Sequence, residues 1–157
     1  MEHLWSPWRM QYMQNGTPAT DCIFCSAWQQ NNKEKLVVTR TDHAVVMLNR
    51  YPYTSGHLMV APKDHLGVMG ALNAETLLDL VNLLSHAEQV LGKVYSPDGF
   101  NVGANIGSAA GAGVADHLHF HIVPRWSGDT NFMTAVGDAR VLPETLDDTL
   151  KRIRSAW

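Results

Sequence analysis

Short apolar runs bounded by turn residues predict the strands of a sheet along this chain. They cover residues 36–40, 44–49, 57–62 and 100–105. Because only three residues separate the first two runs, we expect a hairpin there. A fifth run begins at His117, where His117, His119 and His121 alternate with three apolar residues. Side chains alternate between the two faces of a strand, so we expect the three histidines on one face and the apolar residues in the core.

A long helix is predicted after Asn73, which suits an N-cap and is followed by Glu75 in the first turn. Turn residues at 96–99 would end this helix, and a shorter one is predicted after Pro143. Strands that follow one another with one crossover helix predict an α+β domain with a mainly antiparallel sheet. The apolar positions at roughly helical spacing are Leu77, Leu78, Leu80, Val81, Leu84, Val90, Leu91 and Val94.

The composition suits a single domain over residues 1–157, with 45% hydrophobic residues and a formal net charge of −3. This charge argues against a broad basic surface for nucleic acid or anionic membranes. No apolar run approaches the roughly 18 residues of a membrane span, and the N-terminus does not resemble a signal peptide, so we expect a cytoplasmic protein. We divide the domain into an N-terminal arm (1–20), a core (21–126) and a C-terminal loop and helix (127–157).

Two neighbouring features indicate phosphate chemistry. A loop of small residues at 107–114 comes just before the alternating histidines, and its backbone N–H groups could approach an anion closely. A neutral imidazole is a good nucleophile near pH 7, and its phosphorylated product is reactive enough to transfer the group onward. The alternative interpretation is a tight turn followed by a half-exposed strand with incidental histidines.

Cys22 and Cys25 are the only cysteines of the chain, in a C-x-x-C spacing. In a reducing compartment this spacing indicates a metal clip or a redox pair before a structural disulfide. A closed tetrahedral zinc site would need two further ligands.

Together these motifs resemble those of the histidine-triad (HIT) family. The match consists of the three alternating histidines, here called the triad, and of the strand–turn–strand at residues 48–58. Residues 5–9, 110–113 and 128–133 also resemble the branch that contains the diadenosine tetraphosphate phosphorylases. The resemblance covers nearly the whole chain. It implies an α+β, HIT-like fold with a mainly antiparallel five-stranded sheet, one long helix and a C-terminal helix, in a homodimer.

The resemblance assigns the chemistry to three histidines. His119 would attack the α-phosphorus of a nucleotide with one ring nitrogen, so the other needs an acceptor such as a backbone carbonyl. His121 would donate to a phosphate oxygen, and His57 matches a fourth family histidine on the phosphate side. Alternatively, His119 only binds phosphate and His57 is a core histidine. The phosphate-binding residues implied are Asn105, Gly111, Ala112, Gly113, Val114 and His121.

The loop departs from the family pattern, because many members carry a polar residue near the leaving group where this chain has Ala, Gly and Val. That role would pass to Asn105 or Ser108. Asn49 matches the position that binds the ribose. Three apolar residues are expected either to line a slot for the base or to belong to the ordinary core: Ile23, Phe24 and Leu48.

For the metal, the resemblance implies a structural zinc ion, held as in the related galactose-1-phosphate uridylyltransferases. Zinc with four protein ligands has no open position for water, so it would fasten the N-terminal segment to the triad without Lewis-acid chemistry. An empty cysteine pair and a redox pair remain alternatives, and His57 could displace His65 as a ligand. The implied ligands are Cys22, Cys25, His65 and His117.

The resemblance implies a HIT-family enzyme that transfers a nucleotidyl group in two steps through a nucleotidyl-histidine. With inorganic phosphate as the acceptor, diadenosine tetraphosphate would give ADP and ATP. The partners are then an adenine nucleotide and phosphate, with Arg125 or the Trp126 loop near the second phosphate. The alternatives are a dinucleoside polyphosphate hydrolase, a nucleoside phosphoramidase, and a non-catalytic, zinc-stapled nucleotide-binding module.

Overall fold

Five strands and three α-helices make up the part of the chain that the structure, a computed structural model, describes: residues 22–29, 36–130, 136 and 142–157. The predicted N-terminal arm lies outside these residues, as do residues 5–9 and 131–133 of the family motifs. In chain order the elements are α1 (Ile23–Trp28), β1 (Val37–Arg40), β2 (Ala44–Leu48), β3 (Leu58–Pro62), α2 (Ala74–Tyr95), β4 (Gly99–Ala104), β5 (Phe120–Arg125) and α3 (Leu146–Ala156).

The five strands form one antiparallel sheet in the order β1-β2-β3-β5-β4. β1 and β2 form the predicted hairpin. α2 then connects β3 to β4, and β5 returns between these two strands. The predicted α+β class, with a five-stranded sheet, one long helix and a C-terminal helix, is confirmed.

α2 begins where the capping signal predicts. The Asn73 side chain accepts a hydrogen bond from the N–H of Thr76 at 2.8 Å, and the helix ends before Ser96, which adopts a left-handed conformation. Leu80, Ala87 and Leu91 are buried against the sheet, whereas Leu78 and Val81 of the predicted apolar set are 63% and 62% exposed. No helix in the described part of the chain is long and apolar enough to cross a membrane.

Strand alternation gives the sheet two separate apolar layers. Even-numbered residues of β2 and β3 pack with α2 and α3, and odd-numbered residues pack with α1. We call the α1 side the site face, because it also carries the histidines described below. The helix α1 was not expected from the sequence, because a single turn-and-a-half offers too few residues for a periodic pattern. It buries Phe24 and Ala27.

The predicted strand through the whole triad is wrong at its start. β5 begins at Phe120, so His117 and His119 lie in the segment before the strand and His121 lies within it. The N–H of Leu118 donates to the carbonyl of Leu66 at 2.7 Å, so this segment is held by a loop rather than by the β3 ladder. Leu118 is still buried in the α2 layer, as the alternation predicts. Strand boundaries elsewhere shift by about one residue.

The β2–β3 loop packs closely on α2 at Gly56, directly before His57. The φ of Gly56 is +79°, and a Cβ would approach Leu91 Cδ2 and Tyr95 Cε2 to 3.0 Å each. We expect Gly56→Ala to lower the free energy of unfolding by about 1–3 kcal/mol, since it combines backbone strain with overpacking. Urea denaturation measures the change. Gly70→Ala is the matched control, because its Cβ would meet nothing within 4 Å; equal unfolding midpoints for both variants would contradict the expectation.

Candidate active site and metal centre

The middle histidine of the triad is fixed by its own neighbour. His119 Nδ1 lies 2.8 Å from the carbonyl oxygen of His117. A carbonyl only accepts, so Nδ1 carries the ring proton and Nε2 carries the lone pair. His119 is only 5% exposed, and this burial lowers its pKa, although the hydrogen bond to His117 opposes the shift. The residue is therefore held as a neutral imidazole with an unprotonated Nε2.

Phe24 supports His119 from α1. The two rings are stacked, with centroids 4.8 Å apart and planes 30° apart, and Phe24 also contacts the His117 ring at 5.1 Å. Phe24 is fully buried, so its ring packs on the histidines rather than facing solvent. This contact restricts the orientation of the His119 ring.

His57 and His121 form a hydrogen-bonded pair whose protons can be assigned. The backbone N–H of Tyr53 donates to His57 Nδ1 at 3.1 Å, so the His57 proton lies on Nε2. His57 Nε2 is 2.9 Å from His121 Nδ1, which must accept. The His121 proton therefore lies on Nε2. Two residues apart, His119 presents a lone pair and His121 presents an N–H group.

The four predicted metal ligands lie in one cluster, here called the metal cluster. Their donor atoms all lie within 4.8 Å of one another. Sulfur–nitrogen distances are 3.3 Å for Cys22–His117, 3.3 Å for Cys25–His65 and 3.6 Å for Cys25–His117, and the two histidine Nδ1 atoms are 3.2 Å apart. Tetrahedral zinc with Zn–S near 2.3 Å and Zn–N near 2.0 Å needs ligand edges of about 3.5 Å. The donor set and its spacing fit such an ion.

Two further features of the cluster fit a cation. His117 Nε2 donates to the carbonyl of Pro62 at 2.8 Å, which leaves the Nδ1 lone pair directed into the cluster. Burial lowers the His117 pKa to about 4, so the ring stays neutral as a ligand must. Burial and the neighbouring Cys22 raise the pKa of the Cys25 thiol to about 11, an effect that a bound divalent cation would reverse by stabilising the thiolate.

The small-residue loop turns back on itself through positive-φ residues at Gly107 and Gly111. Within it, the N–H of Gly111 donates to the Ser108 carbonyl and that of Ala112 donates to the Gly107 carbonyl. The N–H groups of Gly113 and Val114 donate to no acceptor in the described residues, and Val114 packs against the apolar cluster around Phe24. Of the four predicted donors, these two are the ones that do not donate to the loop's own carbonyls.

The predicted nucleoside residues divide between the two faces of the sheet. Asn49 directly follows β2, and its side-chain oxygen accepts from the N–H of Tyr51 at 2.9 Å. Ile23 is half-buried beside the Phe24 layer. Leu48 must be removed from the predicted slot, because as an even-numbered residue of β2 it packs in the α2 layer.

Arg125, suggested for a second phosphate, is already paired. Its Nε and Nη2 donate to the two carboxylate oxygens of Asp129 at 2.6 and 2.9 Å, and Nη1 donates to Asn101. This pairing keeps the pKa of Asp129 below its usual range. The sequence offers no signal for this pair, nor for the Pro62 carbonyl or the Tyr53 N–H, because any residue supplies a backbone group.

Comparison with known proteins identifies the family of this chain. A family model described as HIT domain matches residues 30–128, well over half of the chain. The chain belongs to the HIT family. Within the family, it is 37% identical to an AP-4-A phosphorylase of Mycobacterium tuberculosis, over 100% of this chain and 85% of that protein. It is 32% identical to an adenosine 5′-monophosphoramidase of Schizosaccharomyces pombe, over 66% of this chain and 74% of that protein.

The fold of a solved HIT structure agrees with this assignment. A Zn-bound histidine triad family protein from Mycobacterium smegmatis superposes with a TM-score of 0.69, covering 88% of this chain and 94% of that one at 24% identity. The predicted family is confirmed, and so is the expectation that this chain is a HIT-family enzyme.

Metal content provides a test of the cluster that is independent of catalysis. We expect the protein to carry about one zinc ion per chain, and Cys25→Ser to lose most of it, because the variant removes one of four ligands. Since binding free energy of a structural metal is folding free energy, the metal-free variant should also unfold at a lower temperature. Elemental analysis and thermal denaturation measure both. The control is His86→Ala, an exposed histidine that packs on Trp157; equal zinc in both variants would exclude the cluster.

Proposed function

We propose that this protein phosphorolyses diadenosine tetraphosphate to ADP and ATP through a nucleotidyl-histidine at His119. The observation that carries the proposal is the hydrogen bond between His119 Nδ1 and the His117 carbonyl, which leaves Nε2 unprotonated at the centre of the site. The full-length similarity to an AP-4-A phosphorylase supports this substrate and this acceptor.

In the first step, the Nε2 lone pair of His119 forms a bond to the α-phosphorus and the bond to the bridging oxygen breaks. AMP is then attached to His119, and ATP leaves with the electron pair of the broken bond. His121 Nε2–H donates to the phosphate as charge develops there, and the N–H groups of Gly113 and Val114 are further donors. The leaving group is a polyphosphate, a stable anion, which is consistent with a loop that lacks a polar side chain.

In the second step, an oxygen of inorganic phosphate attacks the same phosphorus and the N–P bond breaks. The products are ADP and a neutral His119 with its lone pair restored. The hydrogen bond from Nδ1–H to the His117 carbonyl persists through both steps, so the ring keeps one orientation for attack and for release. It also stabilises the positive charge that the imidazole carries while the nucleotidyl group is attached.

The metal cluster would hold a structural zinc ion in this proposal. Cys22, Cys25, His65 and His117 would be its four ligands, and the ion would cross-link α1 to the segment that carries the triad. The Zn-bound relative from Mycobacterium smegmatis supports this choice of metal. The cross-link would fix the position of His119 through two contacts, the hydrogen bond to the His117 carbonyl and the stacking of Phe24.

A nucleoside phosphoramidase is the second candidate, favoured by the similarity to the Schizosaccharomyces pombe enzyme over two thirds of the chain. Both reactions share the nucleotidyl-histidine and differ in the leaving group and the acceptor. The non-catalytic module is disfavoured, because binding alone would not require His119 and His121 to be held in opposite protonation patterns.

The deciding experiment is turnover of diadenosine tetraphosphate with and without inorganic phosphate, with the products separated by chromatography. We expect ADP and ATP, and only when phosphate is present. AMP and ATP without phosphate would instead identify a hydrolase. Turnover of an adenosine 5′-phosphoramidate alone would identify the phosphoramidase.

His119→Asn is the control for the intermediate. Asparagine keeps a polar side chain of similar size but cannot be adenylylated, so we expect kcat to fall by at least about a thousandfold. Substrate labelled at the α-phosphate should label the parent protein in an acid-labile form and leave the variant unlabelled. Substantial turnover by His119→Asn would contradict the assignment of the nucleophile.

The proposal includes a homodimer formed through β4. This strand lies at the edge of the sheet, and its residues 101–103 are exposed, with Val102 at 53%. An edge strand presents unpaired backbone groups to a second copy. We expect a dimer by light scattering and a shift towards monomer in Val102→Lys, whereas Val68→Lys, at a similarly exposed valine outside the sheet, should leave the mass unchanged. A monomeric parent protein would refute the dimer.

A further inference from the structure

An aromatic ring stands directly beside the His57–His121 pair. The Tyr53 ring centroid lies 4.6 Å from that of His57 and 6.1 Å from that of His121, with only 25° between the Tyr53 and His121 planes. The ring is 39% exposed. Its loop is fixed over β5, because the Thr54 hydroxyl donates to the Pro124 carbonyl at 2.8 Å. Tyr53 is therefore a positioned, accessible aromatic wall at the edge of the site.

On β4, the residue directly opposite His121 has no side chain. Gly103 of β4 is its direct cross-strand partner, so the two residues lie on the same face of the sheet. A Cβ built at Gly103 would meet nothing within 4 Å. β4 therefore contributes only backbone directly opposite His121, between the Tyr53 ring and the edge of the sheet.

This surface ends in a polar cluster. Arg125 lies on the site face four residues along β5 from His121, roughly 13 Å away, and Asn101 lies two residues along β4 from Gly103, roughly 7 Å away. The Arg125 guanidinium is paired with Asp129, so its charge is already compensated. Because its positive charge is compensated, this polar cluster is better suited to bind neutral hydroxyl groups than another phosphate.

We propose that this surface is the subsite for the leaving nucleotide, with its base stacked on Tyr53 and its chain passing over Gly103. The inference rests on the proposed function: the leaving nucleotide begins at the phosphate that His121 contacts, and this surface begins at His121. Tyr53 is then a specificity-determining residue that distinguishes a dinucleotide from a mononucleoside polyphosphate. Because every base has a π-face, the subsite accepts different bases in the leaving nucleoside.

The test compares diadenosine tetraphosphate with adenosine 5′-tetraphosphate, which has the same phosphate chain but lacks the second nucleoside. Dissociation constants are measured by calorimetry in the His119→Asn background, where neither ligand is consumed. We expect the dinucleotide to bind roughly tenfold more tightly, the effect of one stacked base. Tyr53→Leu should abolish this difference while leaving the tetraphosphate constant unchanged, and it keeps the N–H that His57 accepts from.

Three further variants make the outcome specific. Tyr53→Phe keeps a stacking ring and should retain the preference. Gly103→Val adds a side chain beside His121 on an edge strand that tolerates it, and should weaken binding of both ligands, with the oligomeric state checked in parallel. Tyr51→Leu, at an exposed tyrosine of the same loop, should change neither constant.

Two results would overturn the subsite: no preference for the dinucleotide in the parent, or an equal effect of Tyr53→Leu on both ligands, which would mark a structural role. A different result would contradict the proposed function, namely that the protein with His119 in place shows no phosphate-dependent turnover. The binding comparison does not depend on the acceptor, so either proposal can fail while the other stands.

Discussion

The site depends on one residue, His117, which makes three different contacts. Its Nδ1 faces the metal cluster, its Nε2–H donates to the Pro62 carbonyl, and its own carbonyl accepts the proton of His119 Nδ1. The proposed metal ligand and the group that orients the proposed nucleophile therefore belong to a single residue. A displacement of the metal cluster would move the His117 backbone, and with it the acceptor that keeps the ring proton of His119 on Nδ1.

Strand alternation separates this chemistry from the apolar core. The same sheet packs even-numbered residues of β2 and β3 against α2 and presents odd-numbered positions to α1 and the site. As a result, His57, which directly precedes β3, and His121 in β5 lie on one face of the sheet and outside the main core. α1 covers the other end of this face, and its Phe24 packs on His117 and His119.

The sequence predicted the fold, and which side chains lie close together, better than it predicted their local conformation. The helix signal at Asn73 and the strand runs were strong because many positions agree. Side chains of an extended backbone alternate between two faces whether or not the backbone is hydrogen-bonded to a neighbouring strand. The residues before Phe120 therefore show the pattern of a strand without belonging to the sheet, and the start of β5 could not be predicted. Leu48 was misplaced because an apolar residue of a strand can line a binding slot or belong to the core, and the sequence does not show which face of the sheet it is on. The Pro62 carbonyl and the Tyr53 N–H carry no side-chain signal at all.

The two central histidines show why such backbone partners matter. His119 donates to a carbonyl, and His57 accepts from an N–H group; neither partner can gain or lose a proton near neutral pH. A carboxylate in place of the His117 carbonyl would raise the basicity of His119 and favour its protonated, unreactive form. A neutral acceptor combined with burial keeps Nε2 of His119 unprotonated, while the chain from Tyr53 through His57 keeps Nε2 of His121 protonated. His119 and His121 thus present opposite groups at Nε2, a lone pair and an N–H, and each arrangement begins at a fixed backbone group.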